Sequence, residues 1–263
     1  MKIYIKTYGC TLNQADSKII ESILKTNNII ITDIEKSDIV IINSCTVKKV
    51  TEQKILAFIE SQEKQKKKII ITGCIAGANS DLIEKYYPNL SIVSPSNINK
   101  MQYVVDNVLK GQKIKLNEIN KIDKLIYFKP DESIIAKIPI SEGCLNTCSF
   151  CETKYARGTL NSFSEELIVK AVKQSLEMGA KEIRLSAQDT GCYGLDKNTN
   201  IINLLNKILV LDYDFKLRLG MMNPEYLNKF LKPLIKIIQN NKMYKFIHLP
   251  VQSGSNKILK DIK

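Results

Sequence analysis

Three short apolar runs, Ile3–Thr7, Ile39–Asn43 and Ile69–Thr72, each lead into a cysteine, at Cys10, Cys45 and Cys74. Each cysteine then precedes a segment of helical character. Ile-rich runs of this length, bounded in this way, read as strands of a parallel sheet, which is covered on both faces and loses polar/apolar alternation. Parallel strands require crossover helices, and their carboxyl ends meet at one edge of the sheet, where ligands bind. Small buried cysteines serving only as core filler would not recur three times within two or three residues of a strand end. The three thiols are therefore read as converging on one shared group.

The same alternation runs from Met1 to about Gly111. Strand Lys2–Tyr8 precedes a helix beginning near Asn13 or Asp16, with Ile19, Ile20, Ile23 and Leu24 at helical spacing. Strands follow at about Ile29–Thr32, Ile39–Asn43, Ile69–Thr72 and Ser91–Val93. Val47–Lys68 reads as a long helix whose closing lysines, Lys64, Lys66, Lys67 and Lys68, suit the negative end of the macrodipole, and Ser44 is the candidate cap. Residues 1–111 are thus expected to form a doubly wound α/β domain. Residues 112–133, polar and aperiodic at their start, are expected to be a linker. A second alternation fills 134–263. Its strands are expected at Ile134–Ser141, Glu182–Ser186, Phe215–Gly220 and Lys245–Leu249, with helices at Glu165–Met178, Ile201–Leu211 and Pro224–Asn240. That register is a (β/α) barrel with functional residues on the loops after strands. Four strands leave an edge that something else must cover, so the barrel is expected to be incomplete.

A composition of 44% hydrophobic and 25% charged residues excludes a disordered chain. The longest apolar runs are strand-length, far below the roughly 20 residues of a membrane span. The N-terminus enters a strand pattern directly, without a signal peptide. A cytoplasmic chain without membrane attachment is expected, and in that compartment clustered cysteines mean metal or catalysis rather than disulfides. Cys144, Cys148 and Cys151 form C-x3-C-x2-C on one loop, without a nearby His or fourth Cys until Cys192. A structural zinc site wants four ligands, usually as two separated pairs. Three thiolates on a cubane iron–sulfur cluster leave one iron open for a substrate. Cys192, alone on its loop, reads as a spare thiol, and the single His248 as a structural residue.

The net charge of +12 is spread along the chain, with 20 cations against 13 anions up to Pro130 and 19 against 14 beyond it. Such a surface attracts polyanions, nucleic acid first among them. Only three of the 39 cations are arginines, Arg157, Arg184 and Arg218. Where lysine is so strongly preferred, a surviving arginine marks a place that needs a planar fork.

These residues resemble the radical S-adenosylmethionine methylthiotransferase family over essentially the whole chain. The matching stretches are Thr7–Gln14, Asn43–Lys48, Thr72–Cys74, the C-x3-C-x2-C loop, Ala156–Gly158, Gln188–Gly191 and His248–Ser255. The first three look most like the archaeal and eukaryotic branch, which modifies N6-threonylcarbamoyladenosine beside the tRNA anticodon. Other branches act on isopentenyladenosine or on a ribosomal-protein aspartate. The resemblance implies two 4Fe-4S clusters. Cys144, Cys148 and Cys151 would hold the one that binds S-adenosyl-L-methionine, and Cys10, Cys45 and Cys74 the auxiliary one carrying the sulfur to be inserted. Gln188, Asp189, Arg218, Asn223 and Arg157 become candidate cofactor-binding residues, Gln252 a weaker substrate-facing one, and Arg184 structural. Implied partners are a tRNA, an electron donor such as a flavodoxin or ferredoxin, and a separate chain supplying a C-terminal part. Members of the family complete six strands and append a small RNA-binding β-domain, and neither is expected within residues 1–263. An inactive iron–sulfur or RNA-binding fragment is the non-enzyme alternative. Cys192 stands where a small residue such as Ala is the more usual one.

Overall fold

The computed structural model describes residues 1–263. They form two compact units: Met1–Tyr127 together with Glu152–Gly158, and Phe128–Cys151 together with Thr159–Lys263.

The first unit is a six-stranded, wholly parallel sheet. In chain order its elements are β1 (Lys2–Thr7), α1 (Thr11–Leu24), β2 (Ile29–Ile31), β3 (Ile39–Ser44), α2 (Lys49–Lys64) and β4 (Lys68–Gly73). They continue with α3 (Cys74–Ala78), α4 (Ser80–Tyr86), β5 (Ser91–Val93), α5 (Met101–Leu109) and β6 (Lys115–Leu116). A later helix, α6 (Glu152–Arg157), joins this unit. The strand order is β2-β1-β3-β4-β5-β6, so the order reverses between β1 and β3. All six residues of β3 are buried, as a central parallel strand requires. Each fully covered Ile of β3 and β4 contributes about 1.5–3 kcal/mol of apolar burial.

Two expectations change here. Residues 115–116, expected in the linker, are an edge strand paired with β5, with Ile92 opposite Lys115 and Val93 opposite Leu116. Two residues are too few to show periodicity, and ion pairs from Lys115 to Asp81 and Glu84 hold them in place. Ser44 does not cap α2, which starts at Lys49 after Lys48. Its hydroxyl instead accepts from the Ile75 N–H at the start of α3, at 3.1 Å.

The second unit holds β7 (Ile135–Pro139), the pair β8 (Ser141–Glu142) and β9 (Asn161–Ser162), α7 (Glu165–Glu177) and β10 (Glu182–Ser186). It ends with α8 (Ile201–Leu209), β11 (Lys216–Leu219), α9 (Pro224–Ile238) and α10 (Asn256–Ile262). β7, β10 and β11 form a parallel sheet in the order β11-β10-β7. Ala136, Ile183 and Leu217 share a register row and are buried; Lys137, Arg184 and Arg218 share the next row, on the other face. The expected fourth strand, Lys245–Leu249, is not one. The chain beside β11 makes a single parallel bridge, Leu217 to Met243, and Met222 N–H reaches His248 O at 3.0 Å. Between those points side chains hold the segment: Tyr244 donates to Glu182, and Phe246 lies under the Arg218 guanidinium, 5.0 Å from ring centroid to carbon. No helix is long and apolar enough to cross a membrane.

Candidate metal centres and cofactor site

In the first unit Cys10, Cys45 and Cys74 follow β1, β3 and β4, at the carboxyl edge where the strand order reverses. This is the edge at which doubly wound sheets bind ligands. Cys10 is exposed, while Cys45 and Cys74 are buried. Asn13 lies among them. Its Oδ1 is 3.9 Å from Cys10 Sγ and 3.8 Å from Cys74 Sγ, and its amide donates to the Tyr8 and Ser44 carbonyls at 2.9 and 2.7 Å. The loop before Cys10 is shaped by Gly9, at φ +98°, where a Cβ would come within 2.9 Å of Cys45 Sγ.

Behind the cysteines is a buried ion network. Arg157 donates from Nε to Cys74 Sγ at 3.5 Å, and from Nη2 to Asn13 Oδ1 at 2.9 Å and Asp16 Oδ2 at 2.8 Å. Lys124 reaches Asp16 Oδ1 at 3.1 Å. All three charged side chains are 2% exposed or less. Burial pushes the Asp16 carboxyl up, but the charges of Lys124 and Arg157 and their hydrogen bonds outweigh it and hold it below the carboxylate range. Burial raises the Cys74 thiol, Arg157 pulls against this, and Cys10 and Cys45 add to the rise. Two buried cations thus stand behind three thiols, a setting that suits a thiolate-held anionic cluster.

Arg157, expected among the cofactor-binding residues, thus stands at the first cysteine set. Asp16 and Lys124 were not singled out as site residues. Asp16 had a signal, an acid on the apolar face of α1. Lys124 had none, because its partner is 108 residues away.

In the second unit the loops after β7, β10 and β11 form one carboxyl edge. Thr190 N–H reaches Met221 O at 2.8 Å, Asn223 N–H reaches Asp189 Oδ1 at 3.1 Å, and Tyr226 donates to Asn146 Oδ1 at 2.9 Å. The loop of Cys144, Cys148 and Cys151 is partly exposed, and Asn146 N–H donates to Cys144 Sγ at 3.4 Å. Cys151 N–H closes a turn on Cys148 O at 3.0 Å. Burial first, then the neighbouring Cys151 and Cys144, raises the Cys148 thiol. Only Cys144, Asp189 and Cys192 bring three metal-type donor atoms within 4.8 Å of one another. A cubane spreads its thiolates over separate iron atoms, farther apart than ligands of a single ion. Cys192 is fully buried; its thiol is raised first by hydrogen bonding to Cys144, then by burial and Asp189.

Gln188 and Asp189 present orphaned acceptors here: Gln188 Oε1 and Asp189 Oδ2 are buried without a partner. Burial raises the Asp189 carboxyl, against backbone N–H bonds from Asn223, Gly191 and Cys192. Two waiting acceptors suit a ligand rich in N–H donors, as S-adenosylmethionine is at its amine and adenine ends. The other candidates have different work. Asn223 caps α9, its Oδ1 accepting from Glu225 N–H at 2.9 Å. Arg218 stacks on Phe246, and Arg184 pairs with Glu182. His248 and Gln252 are exposed, Gln252 with backbone at φ +60°.

Comparison with known proteins matches residues 2–94 to the uncharacterized protein family UPF0004 and residues 138–263 to the radical SAM superfamily. The chain is 43% identical over 99% of its length to a probable threonylcarbamoyladenosine tRNA methylthiotransferase of Pyrococcus abyssi. It is 40% identical, over its whole length, to the same-named protein of Archaeoglobus fulgidus. Over its whole length the chain is thus similar to proteins named as threonylcarbamoyladenosine tRNA methylthiotransferases, and its second part matches the radical SAM superfamily. It spans 62% of the length of each of those relatives, and 47% of the human threonylcarbamoyladenosine tRNA methylthiotransferase, to which it is 36% identical. In fold it is similar to the radical enzyme OxsB, at TM-score 0.66, 15% identity, and coverage of 99% of this chain and 45% of that one. It is also similar to the radical methyltransferase TsrM from Kitasatospora setae, at TM-score 0.69, 10% identity, and coverage of 98% and 62%. The solved OxsB contains aqua-cobalamin and S-adenosylmethionine, and TsrM cobalamin and a [4Fe-4S] cluster.

Proposed function

We propose that this chain carries the two cluster sites of a cytoplasmic tRNA methylthiotransferase, acting on N6-threonylcarbamoyladenosine next to the anticodon and producing its 2-methylthio derivative. Cys144, Cys148 and Cys151 hold the cluster that engages S-adenosylmethionine, and Cys10, Cys45 and Cys74 hold the auxiliary one. Electrons come from a small donor such as a flavodoxin or ferredoxin. The observation that carries the reading is the convergence of Cys10, Cys45 and Cys74 at the β1/β3 edge, backed by Arg157 and Lys124. A radical S-adenosylmethionine enzyme of another kind needs only the second set.

When bound, these groups supply reductive cleavage of the sulfonium and the sulfur to be inserted. The chain's own residues hold and orient. Asn146 N–H steadies the Cys144 sulfur, and Gln188 Oε1 and Asp189 Oδ2 take N–H donors of the cofactor. Arg157 balances charge at Cys74 while Asp16 fixes its plane. The net charge of +12 favours the RNA backbone, with affinity falling steeply as salt rises.

Iron counting tests the reading. The chain reconstituted with iron and sulfide should hold about eight irons, as two four-iron clusters, falling to about four when either cysteine set is replaced by Ala. Replacing Cys144, Cys148 and Cys151 should abolish reductive cofactor cleavage, whereas replacing Cys10, Cys45 and Cys74 should spare it. About four irons in the unaltered chain would leave the single-cluster enzyme. With two clusters in place, and the part of its relatives that this chain does not span supplied as a second chain, nucleoside mass spectrometry of tRNA bearing N6-threonylcarbamoyladenosine should show the methylthio product; the chain alone should give little. Product on isopentenyladenosine tRNA instead would move the chain to the other branch.

A further inference from the structure

Cys192 has no part in the reading above. It sits in the turn after β10 with no exposed surface, packed with Leu160 and Tyr226, and its thiol donates to Asp189 O at 3.2 Å. Gly191 beside it is hemmed in: a Cβ there would come within 2.7 Å of Met222 and 2.8 Å of Tyr226. The Cys192 sulfur is therefore held in place, and it is held within 4.8 Å of Cys144 Sγ. Cys144 differs in being partly exposed and on a loop. One accessible sulfur beside one fixed, shielded thiol is the arrangement of a redox cysteine and its resolving partner.

We propose that Cys192 is the resolving thiol for Cys144, and that the two form a reversible disulfide when Cys144 carries no metal and meets hydrogen peroxide. Peroxide takes two electrons from the Cys144 sulfur, which becomes a sulfenic acid, and one water leaves. The Cys192 sulfur then attacks that sulfur; the S–O bond breaks, and the hydroxyl departs with the Cys192 proton as a second water. Two thiols have lost two protons and two electrons, and one peroxide has become two waters. A dithiol reductant reverses the step and returns both thiols. The disulfide keeps Cys144 from the sulfinic and sulfonic states, which are not recovered by thiols. The inference needs only the positions of these two sulfurs and is independent of the substrate.

The test uses the full chain stripped of metal by a chelator, treated with a few equivalents of hydrogen peroxide, alkylated under denaturing conditions and digested with trypsin without reduction. The expected product joins the peptide Ile138–Lys154 to Leu185–Lys197, with fragment ions locating the link at Cys144 and Cys192. A Cys148→Ser/Cys151→Ser variant should give the same link in the same yield. Recovery of Cys192 alkylated, or linked to Cys148 or Cys151, overturns the proposal. In Cys192→Ala, the fraction of Cys144 ending as sulfinic acid should rise several-fold, and iron rebound after dithiothreitol should fall by a similar factor. An unchanged fraction overturns it as well. The mapping of the unaltered chain decides the question if that variant does not fold.

Discussion

Arg157 donates to the sulfur of Cys74 across 83 residues of sequence, and Asp16 grips the other side of the same guanidinium. Replacing Arg157 by Met therefore does two things at once: it takes a donor from Cys74 and leaves Asp16 with Lys124 alone. Breaking a buried charge network from one side should cost about 3 kcal/mol or more in urea unfolding. Iron held by the first cysteine set should fall, while the second set keeps its own. Arg157→Lys restores charge without the fork, so it should recover part of the stability and less of the iron.

Acid titration isolates Asp16. Its carboxyl is held down in the folded chain, so its contribution is complete above the ordinary carboxylate value of about 3.9. It is lost as pH falls through the lower folded value, because there the folded state must also take up the proton. Exposed Asp33, Asp81 and Glu84 are also held down, each first by a hydrogen bond from a lysine, but solvent screens them. The difference in stability between the unaltered chain and Asp16→Asn should be flat from pH 7 to about pH 5 and shrink below it. A difference that grows on acidification would contradict the ion network.

Gly73 and Gly111 offer a paired measurement. Both have positive φ, at +87° and +79°. A Cβ at Gly73 would stand 2.3 Å from the Ser44 carbonyl oxygen, whereas nothing lies within 4 Å at Gly111. Gly111→Ala should cost only the backbone term, about 1 kcal/mol. Gly73→Ala should cost more, about 2–3 kcal/mol, because β3 and β4 must part. It should also weaken iron binding, since Cys74 is the next residue.

Asp189→Asn separates stability from ligand binding. The amide oxygen can still accept from Gly191 and Asn223, and a donor replaces the orphaned oxygen. The ligand-free chain should gain about 1 kcal/mol in urea, while calorimetry should show weaker S-adenosylmethionine binding. Loss of stability instead would mean the orphan is not costly here.

What could be read from the residues alone follows the range of the forces involved. β5 and β10 lie where their Ile and Leu content puts them, because burial on both faces is written locally. That Cys10, Cys45 and Cys74 follow β1, β3 and β4 at one edge of the sheet was legible too, since parallel strands all end on the same side. Asn223 carries a second signal besides its place after β11: Asn-Pro-Glu is a helix start, and its Oδ1 takes the cap position. Lys245–Leu249 has strand composition, but a strand needs a ladder, and this segment is tied by Tyr244 and Phe246 side chains instead. Lys124 was beyond reach, as were all pairings made across a hundred residues without periodicity.

The first unit is not a continuous stretch of chain, since it closes only with α6, after Cys151. On the ribosome, the sheet of residues 1–127 must therefore wait for residues 152–158 before Asp16 finds its second cation. A fragment cut at a conventional boundary near residue 111 or 127 would lack Arg157, and the shorter one Lys124 as well. The acid at position 16 makes the order of synthesis part of how this site is assembled: the cysteines emerge first and their charge balance last.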